Sequence, residues 1–208
     1  MPPETLILVK HARPAISPEL PAAQWTLSES GRAACEPLAR ALALWKPEAL
    51  IASAEPKAAE TAQLTAERLG VLWRTAPGLH EHDRAGAPYF AAEADFAAAV
   101  AALFLRPAER VYERETANEA LARFNAAIVP ALAQESARST AIVTHGTVIA
   151  LYTAQLWNMD GRAGYDLWRR LGLPSLVVVR APGLSGPVIV ERMEDATIYR
   201  PVLPKPTQ

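Results

Sequence analysis

Two of the four histidines stand where a chain of this type can carry out chemistry. His11 and His145 each follow an apolar run directly, in LILVKH and AIVTH. Such runs predict strands that are covered on both faces, and the carboxyl ends of parallel strands meet at one edge of a sheet. We therefore expect the two imidazoles to face one another although they lie far apart in sequence.

Cationic side chains cluster at the same predicted edge. Lys10 precedes the first histidine, Arg13 follows it by two positions, and Lys57 opens the helix after another predicted strand. Backbone amides at two helix starts, near Ala58 and Thr147, are expected to point toward this edge and to favour an anion. Convergent imidazole, ammonium, guanidinium and amide donors are suited to the oxygens of a phosphoryl group.

Each of these residues also has a purely structural interpretation. A histidine after a buried strand is often a polar residue satisfied at a sheet edge, and Arg13 is as typical of an exposed loop as of an anion site. The segment LHEHDR places Glu81 between His80 and His82, and a loop carboxylate in such surroundings is typical of a solvated salt-bridge cluster. A His-x-His pair can also bind metal, but no cysteine or spaced acidic cluster completes a tetrahedral set, so no metal is expected.

Strands and helices must alternate to position these groups. The pattern predicts helices at Ser28 to Trp45, Pro56 to Gly70, Glu93 to Leu105 and Thr116 to Gln134, with another from Thr147. It predicts strands at 5–10, 49–52, 71–74, 140–144, 175–180 and 188–193. Residues 76–116 are otherwise irregular and should form the substrate-side wall. Without a repeat, polar linker or composition break, residues 1–208 are expected to be one α/β domain with a mainly parallel sheet, and 200–208 an extended tail.

Composition excludes several classes of protein. Of 208 residues, 50% are hydrophobic and the net charge is −1, which is typical of a soluble globular protein and argues against nucleic-acid or anionic-membrane binding. The first residues have too short an apolar run for a signal peptide, and no other stretch is long enough to span a membrane. With a single cysteine, intrachain disulfides are excluded, which fits a cytoplasmic location.

Several other side chains are expected to be structural. Cys35 shares a helical face with Leu38 and Leu42, so we expect it in the core and not as a nucleophile. Trp157 and Trp168 are expected in the core or in a subunit interface, and the second case would make the protein a homodimer.

In their order and spacing, the chemical motifs resemble those of the histidine phosphatase superfamily, over Thr5 to about Leu156. Lys10-His11-Ala12 stands where that family has Arg-His-Gly, and Thr144-His145-Gly146 matches its Ser/Thr-His-Gly turn. Lys57 followed by AAETA matches its basic residue and Ala-x-Gln/Glu-Thr-Ala run, and Glu81 lies where its acidic proton donor does. The resemblance implies a phosphoglycerate mutase-like, three-layer α/β fold, with a mainly parallel sheet and helices on both faces.

The resemblance also implies a mechanism. The chain would be a phosphomonoester hydrolase of the histidine acid phosphatase type, in which His11 forms a phosphohistidine and Glu81 is general acid and base. His145, Lys10 and Lys57 would bind phosphoryl oxygens, with help from Arg13 or Arg84. No cofactor is implied, and the partner would be a small phosphorylated metabolite or phosphate.

Departures from the family pattern leave a second function open. Lysines replace both family arginines, and Ala12 replaces a glycine. A lysine supplies charge without the planar, two-pronged grip of a guanidinium. The alternative is therefore a non-catalytic or weakly active protein of the same fold that binds a phosphorylated ligand or has a regulatory role.

Overall fold

The computed structural model describes residues 5–87, 89–112, 114–133, 139–180, 189–194 and 197–199, with 180 and the last two ranges described for the backbone. Within these residues the strands are β1 Thr5–Lys10, β2 Ala49–Ala52, β3 Leu72–Thr75, β4 Ser139–Thr144, β5 Ser175–Arg180, β6 Ile189–Glu194 and β7 Thr197–Tyr199. The helices are α1 Glu29–Ala43, α2 Pro56–Leu69, α3 Glu93–Leu105, α4 Ala117–Ala133, α5 Gly146–Leu156 and α6 Gly161–Arg170, with a 3-10 turn at Ala22–Gln24.

The described strands form one sheet in the order β3-β2-β4-β1-β5-β6-β7. Strands β3, β2, β4 and β1 are parallel, and β5, β6 and β7 are each antiparallel to the preceding neighbour. Lys10 is paired with Thr144, and Ala52 with Val143, so β1, β4 and β2 end at the same edge. This register places the residues that follow these three strands side by side, and the predicted mainly parallel sheet is confirmed.

Alternating residues of the central strands form two cores. Leu6 and Leu8 of β1 pack with helices α3 to α6, whereas Ile7 and Val9 pack with α1 and α2. All four side chains are fully buried. Because burial of such a side chain stabilises the fold by roughly 1.5–3 kcal/mol, both faces must be covered. The helices on both faces confirm the predicted three-layer α/β fold.

Local signals in the sequence set the helix boundaries. Ser28 caps α1 by accepting a hydrogen bond from Gly31 N at 3.0 Å, and Gly70 ends α2 in the left-handed region with φ of 67°. Thr116 and Glu119 cap α4 reciprocally, since each side chain accepts from the other's backbone N–H. These helices therefore begin and end within about two residues of their predicted limits.

A few elements differ from the prediction. β3 lies one residue later than expected, and the short β7, the 3-10 turn and the limits of α6 were not predicted. The described residues between 76 and 116 are irregular apart from α3, as predicted, while the tail at 200–208 lies outside the described residues. Cys35 is buried in the core, which raises the pKa of its thiol to about 11. Within the described residues, no helix is both long and apolar enough to cross a bilayer.

Candidate active site

The two strand-end histidines meet at the edge of the sheet. His11 follows β1 and His145 follows β4, and their ring centroids are 5.1 Å apart with the planes at 64°. The His145 side chain is fully buried, and His11 is 7% exposed. The pair therefore lies in the interior of the edge, and His11 is the more exposed of the two imidazoles.

Burial and nearby cations keep His11 neutral. Desolvation, followed by the charge of Lys57 and then that of Lys10, lowers its pKa to about 3. Its Nδ1 lies 2.7 Å from the carbonyl oxygen of Ala12. Because a carbonyl only accepts, the proton of the neutral ring is on Nδ1, and Nε2 carries an unshared electron pair. A neutral imidazole with an available Nε2 is a competent nucleophile.

His145 is neutral as well. Desolvation lowers its pKa well below the usual value, and His11 and Lys57 add to the effect. Its Nε2 lies 2.9 Å from Ser53 Oγ and 3.6 Å from Glu55 Oε1. A serine hydroxyl can donate or accept, so the His145 ring can serve as a hydrogen-bond donor at this edge of the sheet.

Both predicted lysines lie close to this pair. Lys57, in the first turn of α2, is buried, and its Nζ donates to Ala22 O at 2.7 Å and to Glu55 Oε2. Lys10 donates from Nζ to Leu171 O at 2.9 Å and packs over Gly146, where an added Cβ would lie 3.0 Å from Lys10 Cε. Both ammonium groups lower the pKa of His11, so both act on the same site.

The two arginines differ in their placement. The side chain of Arg13 is exposed, and its backbone carbonyl accepts hydrogen bonds from the N–H and the hydroxyl of Ser28. Arg84 lies over the ring of Phe96, 5.1 Å from its centroid, and its charge lowers the pKa of both paired histidines. Arg84 is therefore the guanidinium that acts on the site electrostatically, while a phosphate-binding role for Arg13 stays a prediction.

Glu81 lies against the start of α5, the helix that follows the second histidine. Its Oε2 accepts from Thr147 N at 3.2 Å, and its Oε1 accepts from His82 N at 2.9 Å. Arg123 holds the loop in place by donating to the carbonyls of residues 78, 80 and 81 and to the Glu115 carboxylate. The carboxylate is thus in the neighbourhood that the sequence predicted.

The two helix-start amides do not have the expected arrangement. Thr147 N donates to the Glu81 carboxylate, and Ala58 N donates to the carbonyl of Glu55 at 2.9 Å. The expectation that both amides would point toward a bound anion is therefore wrong for this structure. The Thr147 amide is occupied because a helix N-terminus attracts a carboxylate within reach, and the Ala58 amide because the first turn of α2 supplies a backbone carbonyl.

Two residues of the site were missed from sequence. Ser53 and Glu55 contact His145 from the segment between β2 and α2. Both lie just beyond the end of β2, which is adjacent to β4 in the sheet. The signal that could have identified them is their position just after a predicted strand, which was considered only for histidine and lysine.

The segment LHEHDR is not arranged as a metal site. His82 is buried against Tyr112, with ring centroids 5.5 Å apart, and His80 is half-buried. Burial lowers the pKa of both imidazoles. Over the described part of the chain, no group of three or more His, Cys, Asp or Glu side chains is placed to hold a metal ion.

A comparison with protein families agrees with this geometry. The sequence profile of the histidine phosphatase superfamily (branch 1) matches residues 6–183. The chain belongs to the histidine phosphatase superfamily. Membership in this superfamily supports phosphatase activity in general. A separate search of curated protein sequences found no match to the chain.

Solved structures share the histidine phosphatase fold with this chain. A mycobacterial glucosyl-3-phosphoglycerate phosphatase is 21% identical, with 86% of this chain and 91% of that chain covered and a TM-score of 0.71. Its complex with inorganic phosphate is 18% identical, covers 98% and 97%, and has a TM-score of 0.67. Bacillus stearothermophilus YhfR is 19% identical, with 95% of each chain covered and a TM-score of 0.62. At these identities the likeness shows the fold.

Proposed function

We propose that this protein hydrolyses phosphomonoesters of small metabolites through a phosphohistidine on His11. The observation that carries the proposal is the buried, neutral imidazole whose Nδ1 is hydrogen-bonded to Ala12 O, with Nε2 left for attack. The site also brings together the cations that a phosphoryl group needs, and a related structure is a complex with inorganic phosphate.

In the first step, Nε2 of His11 attacks phosphorus and the bond from phosphorus to the leaving oxygen breaks. Glu81, protonated at this stage, transfers its proton to the departing alkoxide. Lys10, Lys57 and His145 bind the phosphoryl oxygens. The Nδ1–H of His11 stays hydrogen-bonded to Ala12 O and stabilises the positive charge that develops on the ring.

In the second step, water attacks the phosphohistidine in line with the P–N bond. The Glu81 carboxylate accepts a proton from this water as the new P–O bond forms. The electron pair of the P–N bond returns to Nε2, so His11 is again neutral, and inorganic phosphate leaves. Positioning and electrostatic stabilisation provide most of the rate enhancement in this scheme. No step in it requires a metal ion.

A second candidate is a phospholigand-binding or regulatory protein of the same fold. It is favoured by Lys10 and Lys57, which stand where the family has arginines, and by the ion pair between Lys57 and Glu55, which offsets one positive charge of the site. Such a protein would bind phosphate or vanadate without turnover.

One assay separates the two candidates. The chelator-treated protein should hydrolyse p-nitrophenyl phosphate, His11→Ala should lower kcat by about a thousandfold or more, and His80→Ala should leave it nearly unchanged. Phosphate binding without hydrolysis by the wild-type protein would support the binding protein instead. Hydrolysis that requires added zinc or manganese would contradict both accounts.

A further inference from the structure

The carboxylate of Glu55 lies inside the cationic site and is not used by the mechanism. It is 12% exposed, and it pairs through Oε2 with Lys57 Nζ. Its Oε1 accepts from Glu81 N at 2.9 Å and lies 3.6 Å from His145 Nε2. Although Glu55 occupies the position before α2, its side chain makes no capping hydrogen bond with that helix. Its contacts are directed toward the site.

A negative charge at this place opposes the binding of a phosphate dianion. It also offsets the charge of Lys57, and burying an ion pair has a desolvation cost that its mutual attraction seldom exceeds. Anion affinity therefore does not account for a carboxylate here, and its pairing with the buried Lys57 does not account for the hydrogen bond that it also accepts from Glu81 N. Its contacts suggest that it controls geometry.

The geometry of an ammonium group depends on its acceptors. A lysine has three N–H donors that rotate freely, whereas an arginine presents its donors in a rigid plane. In this structure two of the three donors of Lys57 are directed to Glu55 Oε2 and to Ala22 O. With two acceptors fixed, the direction of the third N–H is fixed as well. Glu55 and Ala22 together provide the directionality that a guanidinium would have by itself.

The same carboxylate also holds the segment of the general acid. Glu55 Oε1 accepts from the backbone N–H of Glu81, so one side chain sets the distance between Lys57 and Glu81. Building on the function proposed above, we propose that Glu55 is a positioning residue that orients Lys57 toward the phosphoryl group and fixes Glu81 beside it.

A double-mutant cycle tests this role. In Glu55→Gln we expect kcat for p-nitrophenyl phosphate to fall about tenfold with little change in KM, because orientation matters most in the transition state. Glutamine keeps an acceptor for Glu81 N, so the loss should arise at Lys57. In a Lys57→Arg background, the planar guanidinium presents its donors without help from Glu55. There, Glu55→Gln should change kcat by less than about threefold. The difference in the two effects is the coupling between the two residues.

A second background covers the case in which arginine does not fit. In Lys57→Ala, the unpaired Glu55 carboxylate repels the substrate, so Glu55→Gln should raise kcat/KM or leave it unchanged. Glu60→Gln is the matched control, because Glu60 also joins a cation, Arg32, to a backbone N–H, that of Leu27, but does so away from the histidine pair. It should leave kcat within about twofold of wild type in every background.

Ligand binding gives a readout that does not depend on turnover. Vanadate resembles the in-line transition state and phosphate the ground state, so Glu55→Gln should lower the ratio of vanadate to phosphate affinity about tenfold, or by ~1.4 kcal/mol. Lys57→Arg should restore most of that ratio. If the wild-type protein shows no hydrolysis but the ratio responds in this way, the proposed function fails and the positioning role stands.

Two results would overturn the positioning role. An equal loss of kcat from Glu55→Gln in the wild-type protein and in the Lys57→Arg background would mean that Glu55 takes part in the reaction without Lys57. A lower melting temperature with unchanged kcat and an unchanged affinity ratio would mean that its role is only structural.

Discussion

A single hydrogen bond determines which nitrogen of His11 can act as the nucleophile. Since Ala12 O fixes the proton on Nδ1, the reactive electron pair is on Nε2. His145 is held differently, because its Nε2 contacts Ser53 Oγ and lies 3.6 Å from Glu55 Oε1. Two adjacent histidines thus have different functions in the proposed reaction, one as nucleophile and one as hydrogen-bond donor. Protonation of His11 would remove the nucleophile, so its pKa decides the working range of the site.

The lowered pKa of His11 has a testable consequence. With a folded-state pKa of about 3, the ring stays neutral in the native protein while the unfolded chain takes up a proton near pH 6.5. NMR of labelled protein should show no titration of the His11 imidazole between about pH 5 and 8. Because the unfolded state then binds more protons, His11 should make the fold less stable as pH falls from 6.5 toward 3. A His11 midpoint near 6.5 would contradict this description of the site.

At the scale of elements, strand ends and helix starts carry the site. The sequence predicts where β1, β2 and β4 end, and with them His11, His145 and Lys57. It could not predict the contacts of Glu55 or Glu81, because these depend on side-chain conformation and on β2 lying next to β4. Short-range patterns place Glu55 just after a strand and Glu81 in a loop, but they contain no signal for the partners of either side chain. For the same reason it misjudged the amide of Thr147, which Glu81 already occupies.

Gly146, the first residue of α5, provides space for Lys10. A Cβ there would lie 3.2 Å from Lys10 Nζ, the end of a flexible side chain, so Gly146→Ala should displace the ammonium with little cost in stability. We expect kcat/KM for p-nitrophenyl phosphate to fall about tenfold, while the free energy of unfolding changes by less than about 1 kcal/mol.

Gly31→Ala serves as the comparison for this prediction. Its Cβ would lie 2.1 Å from the carbonyl oxygen of Arg13, which is backbone and cannot move aside easily. This variant should lose stability clearly in thermal unfolding. If Gly146→Ala keeps full activity, the placement of Lys10 over Gly146 is not important for catalysis. If it loses stability as Gly31→Ala does, Lys10 does not move aside and the prediction is contradicted.

On the scale of the whole molecule, the sheet joins distant parts of the chain into one site. The alternation of strands and helices was enough to predict the mainly parallel sheet, whereas the three layers were implied by the resemblance to the histidine phosphatase superfamily. Trp157, which was assigned to the core or to a subunit interface, is buried in the core of its own chain. The short β7 was not predicted, since three residues carry too little periodicity to identify a strand. The homodimer stays a prediction.

The proposed mechanism phosphorylates one particular atom, and mapping of the phosphoenzyme identifies that atom. Protein quenched under alkaline conditions during turnover should carry a phosphoryl group on Nε2 of His11, detected by peptide mass spectrometry and by the ³¹P NMR shift that distinguishes the two ring nitrogens. The label should disappear on treatment with acid and be absent in His11→Ala. Phosphate on another residue, or steady hydrolysis with no phosphate trapped on His11, would contradict the account.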